Sequence, residues 1–223
     1  MRNRSGRKQN RRQRGRQRQN LWVGAGIALI LLLLVIYFTW QETAPGQALD
    51  PATVPDPAIG LATAPVEIME FGDFGCSACR GWHLAGIRDA VLDRYGDQVR
   101  FVWKDFPVIT PQSPQAAEAA HCAAVQGKFW DFHDTVYERF AGLNANALRS
   151  YATQIELDLA AFDSCLERGD MRRIVQANLQ IARQLGLRGT PGFAINGRAL
   201  PAPPSLDQLV QLIDQELAGQ RTN

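Results

Sequence analysis

The sequence predicts an α/β domain, set apart by a proline-rich spacer from one apolar, membrane-spanning N-terminal helix. Three observations carry this. The first is an uncharged run of twenty residues behind a basic tail. The second is a strand–helix–strand order around a Cys-x-x-Cys unit. The third is a block of helices followed by two short strands and a last helix. A chain of 223 residues with 46% hydrophobic content is long enough to bury a sizeable core.

The ends of the chain differ in charge. Residues 1–20, MRNRSGRKQNRRQRGRQRQN, hold nine of the 24 Lys and Arg and no acid, leaving 15 basic against 22 acidic residues afterwards. A nucleic-acid binder carries its positive charge on the folded domain, so this distribution argues against that class. Residues 21–40, LWVGAGIALILLLLVIYFTW, match the thickness of a bilayer core at about 1.5 Å rise per residue. Trp22, Tyr37 and Trp40 flank the run as interfacial aromatics do. A buried core helix would hardly be apolar all round beside a polybasic tail, and QETAPG after Trp40 offers no convincing signal-peptide cleavage site. The expected arrangement is a cytoplasmic tail (1–20), a transmembrane anchor (21–40) and a Pro-rich linker (41–63) holding the rest outside the cytoplasm.

The folded domain is expected over 64–219, leaving a short tail at 220–223. PVEIMEF (65–71) has the β-branched, apolar character of a strand buried on both faces. Leu84, Ile87, Val91 and Tyr95 recur at helical spacing before Gly96, and QVRFVWK (98–104) is a second strand; together they suggest a right-handed βαβ crossover. A helical block at about 113–185 follows: 113–141 opening on Ser113-Pro114, 147–156 after Asn146, 159–168 after Asp158, and 171–185 after Asp170. GTPGFAINGRAL (189–200) contains two strands around an Asn196-Gly197 turn, and an amphipathic helix runs from Ser205 to about Leu217. The order βαβ, helices, ββα is that of a thioredoxin-like sheet with a helical insertion.

FGDFGCSACR (71–80) places Cys76 where strand and loop give way to helix. Backbone N–H groups and the helix dipole stabilise a thiolate there. Cys76 is therefore the expected nucleophile and Cys79, one turn on, the resolving thiol. Zinc would need two more ligands at compatible spacing, and Cys122, Cys165 and the histidines do not supply them. A purely structural Cys76–Cys79 bridge would close too short a loop to stabilise much. In an oxidising compartment Cys122 and Cys165 are expected to be bridged, the alternative being two inert core cysteines. His83 is expected at the surface, and His121 and His133 in helix packing. Phe74, Trp82 and Phe193 are candidates for an apolar rim around the dithiol.

APVEIMEFGDFGCSAC, GKFWDFHD (127–134) and GLRGTPGFAING (186–197) together resemble the DsbA-like branch of the thioredoxin superfamily, most closely its membrane-anchored bacterial thiol–disulfide oxidoreductases. The resemblance covers about residues 60–218. It implies an enzyme acting on reduced or unfolded secreted proteins at the bacterial cell membrane, with no cofactor beyond its redox-active disulfide. It implies reoxidation by a quinone-linked partner of the DsbB or VKOR type. Carried over by position, Cys76 and Cys79 are the attacking and resolving thiols. Pro191 is the family's cis-proline, preceded by Thr190, whose backbone would pair with an extended substrate. Glu70 is a buried acid aiding proton transfer to the resolving thiol, the alternative being a strand-end acid facing water. Ser77-Ala78 lacks the histidine of the best-known oxidase, so oxidase, isomerase and reductase directions stay open, as does a non-catalytic client-binding module.

Overall fold

Alternation along VEIMEFG decides how the sheet is covered. The computed structural model describes residues 29–37 and 55–220. In β2 (Val66–Gly72) the side chains of Val66 and Ile68 join one apolar cluster, and those of Met69 and Phe71 join another on the opposite face. β2 pairs in parallel with β3 (Val99–Asp105) and antiparallel with β4 (Gly192–Ile195). β1 (Ala58–Ile59) and β5 (Arg198–Ala199) complete a five-stranded mixed sheet of order β1-β3-β2-β4-β5. Burial on both faces explains why β2 and β3 are nearly continuous apolar runs.

One face packs against α1 (Ser77–Leu84), α2 (Ile87–Tyr95) and α8 (Leu206–Gln220) through Trp82, Val91, Leu209 and Ile213. The other receives Ala182 and Leu185 from the end of α7 (Arg172–Gln184). Between β3 and α7 the chain forms α3 (Ser113–Val125), α4 (Phe129–Glu138), α5 (Ala145–Gln154) and α6 (Leu159–Arg168). Phe132, Tyr137, Tyr151 and Phe162 from these helices build a separate core that also takes in Phe74, Trp103, Cys76 and Cys79. The helical insertion is thus packed directly under the dithiol.

Several boundaries differ from the sequence expectation, each for a local reason. The helix expected through Leu84 to Tyr95 breaks at Gly86, and the one expected over 113–141 breaks at Gly127; both glycines take a positive φ that would strain other residues. Leu84 is consequently exposed. α5 is capped by Asn144, whose side chain accepts from the Ala147 N–H at 3.0 Å, so Asn146 lies within its first turn. Asp170 does not cap α7; it pairs with Arg168 at 2.6 Å. Ala58–Ile59, inside the expected linker, is strand because it hydrogen-bonds antiparallel to the exposed side of β3. Most of the expected anchor (21–40) and linker (41–63) lies outside the described residues. Within the first, 29–37 is helical with exposed apolar side chains. Among the described residues no helix is long and apolar enough to cross a membrane.

Candidate active site

The chain leaves β2 at Gly72, where a Cβ would sit 2.0 Å from the Trp103 ring, so only glycine lets strand and indole approach this closely. Asp73 then gathers the loop. Its Oδ1 accepts from the Gly75 N–H and its Oδ2 from the N–H groups of Val108 and Ile109, all at 2.7 Å. Its carbonyl accepts from the Cys76 N–H at 2.9 Å and the Tyr137 O–H at 3.1 Å. One buried residue therefore ties the turn before the dithiol to the loop after β3 and to α4. Asp73 thus caps its own loop and a second one, a link that sequence adjacency does not reveal.

Cys76 is the N-cap of α1. Its Sγ accepts from the Cys79 N–H at 3.3 Å, and its thiol donates to the Thr190 carbonyl at 3.2 Å. The Thr190–Pro191 bond is cis, and the Thr190 Oγ1 is buried with no partner among the described residues. Both thiols are free. The Cys79 side-chain hydrogen bond does most to lower the Cys76 thiol, to about 5 from 9.0; burial opposes it, and backbone N–H groups of Cys79 and Ala78 add to the lowering. Cys79 is pushed far the other way, first by burial and then by Cys76 and Glu70. Two sulfurs three residues apart thus differ sharply: the environment of one favours loss of its proton, and that of the other resists ionisation.

Glu70 lies on the Val66 and Ile68 face of β2 and is buried, not facing water. Its Oε1 has no hydrogen-bond partner among the described residues. Burial raises its carboxyl to about 8, against a lowering by Arg88 and further raising by Cys76 and Asp134. Arg88, buried on α2, forks onto Asp134 at 2.9 and 3.0 Å and reaches Asp89 at 2.8 Å. His133 shares Asp134 at 2.7 Å. His83, expected at the surface, is half-buried against Tyr137 and His133 and lies 3.8 Å from Asp134. His83, His133 and Asp134 offer donor atoms within 4.8 Å of one another. However, the Arg88 guanidinium takes both Asp134 oxygens, so this cluster is an internal ion-pair network and a poor metal site.

His121 and His133 are buried, as helix packing requires. His121 also contacts Asp105 at 2.6 Å, and Asp105 further accepts from Trp103 and Asn178. Phe74, Trp82 and Phe193 do not form a rim: all three are buried, with Trp82 packed on Phe193 at 4.7 Å. The exposed apolar side chains beside the Asp73 loop are Val108 and Ile109. Cys122 on α3 and Cys165 on α6 are joined by a disulfide across a sequence separation of 43. Arg88, Asp134 and Tyr137 were not singled out from the sequence. The one signal pointing toward them was the period-2 alternation that turns Glu70 inward.

A family model described as thioredoxin matches residues 52–215. A protein named Na(+)/H(+) antiporter NhaA 3 from Salinispora tropica is 34% identical over 165 residues, 73% of this chain and 25% of that one. The chain thus spans about a quarter of the length of the curated relatives it matches. Among solved structures, oxidised BdbD from Bacillus subtilis aligns with a TM-score of 0.67 at 21% identity, over 73% of this chain and 93% of that one. A thioredoxin-like oxidoreductase from Silicibacter pomeroyi aligns with a TM-score of 0.65 at 26% identity, over 77% and 97%.

Proposed function

The chain belongs to the thioredoxin family, and on that premise we propose that it is a thiol–disulfide oxidoreductase that works as an extracytoplasmic oxidase of secreted or cell-envelope proteins. The observation that carries the reading is the asymmetry of the dithiol, with Cys76 lowered to about 5 and Cys79 raised. A stabilised thiolate stabilises the reduced form, which makes the disulfide form the stronger oxidant.

A client thiolate attacks Cys76 Sγ, and the Cys76–Cys79 bond breaks with its electron pair going to Cys79. Burial makes a Cys79 thiolate costly, and the protonated Glu70 carboxyl supplies the proton that neutralises it. The client's second thiolate then attacks its own sulfur in the mixed disulfide. Cys76 departs as a thiolate, a good leaving group because it is stabilised, and the client keeps the new disulfide. Two electrons now reside on the dithiol and pass to a disulfide of a membrane partner, of the quinone-linked DsbB or VKOR type. An extended client segment fits the cleft of about 630 Å³ beside Thr190 and Pro191, lined also by Leu187, Leu200 and Pro201.

The extracytoplasmic, membrane-anchored location is supported by the basic-then-apolar start of the chain. The Cys122–Cys165 bridge, which suits an oxidising compartment, points the same way. The antiporter name belongs to the longer relatives, and no transport step is assigned to these residues. One observation favours a second reading, a reductase or isomerase at the same site: Ser77-Ala78 puts no charge beside the thiolate. Equilibration of Cys76–Cys79 with a glutathione buffer decides between them. A potential well above the roughly −270 mV of a cytosolic thioredoxin supports the oxidase, and one near that value overturns it.

A further inference from the structure

The cleft beside Thr190 and Pro191 carries a single charge. Leu187, Leu200, Pro201 and Pro203 give it apolar walls, and among its lining residues Arg188 alone is charged. Arg188 is exposed and makes no ion pair or side-chain hydrogen bond among the described residues, unlike Arg198, which pairs with Glu216. It stands two residues before Thr190, whose carbonyl accepts from the Cys76 thiol at 3.2 Å. The N–H groups of Arg188, Gly189 and Thr190 donate to no group among the described residues, so this stretch offers an unpaired backbone edge to an extended chain. The charge around the cleft is uneven as well. Residues 171–206 hold five Arg and no acid, whereas the remainder of the chain after residue 20 holds ten Lys and Arg against 22 acids. Arg173 and Arg183 are exposed on α7, the helix that leads into the cleft, and neither has an acidic partner among the described residues. A helix face of this kind steers anions without choosing among them. Arg188 differs because it lines the cleft itself.

We infer that Arg188 is a specificity-determining residue, selecting clients that carry an acidic side chain two residues from the reacting cysteine. This rests on the proposed reading of the cleft as the client site. A client cysteine that meets Cys76 sits beside Thr190, and in an extended chain every second side chain faces the same way. The client residue two positions away therefore comes level with Arg188. A carboxylate there meets a guanidinium that no acid of this chain already holds, between apolar walls that displace water from the pair. A lysine there meets like charge, and an uncharged side chain leaves the arginine without a partner.

The test uses the oxidised full chain and three reduced two-cysteine peptides. They differ only at the positions two residues before and after the first cysteine, which hold Glu, Gln or Lys. The second-order rate constant for oxidation of each peptide is measured, and the Glu-to-Lys ratio is compared between chains, so that the peptide's own thiol reactivity cancels. The wild-type ratio is expected to exceed that of Arg188→Gln by about fivefold, with the Gln peptide intermediate in the wild type. Arg188→Glu takes the ratio below that of Arg188→Gln, and about 1 M salt closes most of the gap between wild type and Arg188→Gln. Arg173→Gln combined with Arg183→Gln lowers the ratio by less than about twofold. Equal ratios in wild type and Arg188→Gln, with all three peptides oxidised, overturn the inference and leave the oxidase reading in place. A fall in the Arg173, Arg183 double variant as large as in Arg188→Gln also overturns it, because the selection then belongs to the helix face. A wild-type chain whose dithiol is reduced by dithiothreitol and by none of the peptides overturns the client role of the cleft, and the inference with it.

Discussion

The two cysteine pairs share one apolar core and behave as opposites. Cys76 and Cys79 are free; Cys122 and Cys165 are joined. The first pair closes a loop of four residues, the second links helices α3 and α6 across 43. By loop-closure entropy the long bridge stabilises by about 4 kcal/mol and the short one by about 2 kcal/mol. What distinguishes the pairs most is their surroundings. Cys76 caps a helix beside Thr190, with a buried acid on the adjoining strand, whereas Cys122 lies mid-helix among alanines. Sulfur chemistry here is assigned by backbone donors and nearby charge, and burial alone does not decide it.

The comparison breaks most completely at the first pair. Cys76→Ser abolishes turnover of a reduced client. Cys79→Ser, whose Cys76 thiolate attacks a disulfide-bonded client and releases one client thiolate with no Cys79 to resolve the product, leaves a mixed disulfide, seen as a covalent adduct by mass spectrometry. By contrast, Cys122→Ala with Cys165→Ala retains the dithiol rate within about threefold while losing about 2–4 kcal/mol in chemical denaturation. If the double variant instead lost its rate, the separation between a reactive and a structural pair would be wrong. Asp73→Ala, which strips three backbone N–H groups of their acceptor, is expected to cost about 3 kcal/mol and to slow client oxidation.

The pH dependence sharpens the contrast further. The Cys76 thiol is lowered in the folded reduced chain, so its contribution to stability is fully present above pH 9 and is lost as pH falls through about 5. The oxidised chain has no such thiol. Raising pH from 5 to 9 should therefore stabilise the reduced form relative to the oxidised one. Glu70, raised to about 8 from 4.5, works in the opposite sense: its contribution is present below 4.5 and is lost as pH rises through 8. Glu70 is present in both redox forms, so the difference between their unfolding curves reports the thiolate together with the part of the Glu70 shift that the thiolate itself causes. The smallest effect belongs to the charges beside the second pair. Arg168→Ala removes a solvent-exposed guanidinium from the buried Asp170 carboxylate, far from the dithiol's hydrogen bonds, and should leave the rate unchanged.

Local pattern carried much of this in the sequence. A short β-branched apolar run located β2, Asp158 marked the start of α6 by accepting from Ala160 and Ala161, and Asn196-Gly197 marked the hairpin. Cys76 and Cys79 announced themselves by spacing. Long-range partnerships did not show. Arg88 meets Asp134 across 46 residues and Asp73 meets Ile109 across 36, and nothing in either neighbourhood reveals the other end. The cis bond at Pro191 was legible only through family resemblance, because the local residues are compatible with either isomer. The breaks at Gly86 and Gly127 were missed because apolar spacing runs through both. β1 was hidden because its two residues owe their conformation to β3.

Ser77 and Ala78 lie between the two sulfurs, yet both are exposed, while the hold on Cys76 comes from the Cys79 side chain, from backbone groups and from Thr190. Neither side chain is needed to fill the core or to shape the turn. The dipeptide is therefore an adjustable setting on a fixed instrument. Successive substitutions there can retune the driving force for electron transfer without repacking the scaffold, so a lineage can move this enzyme along the redox scale by two surface codons.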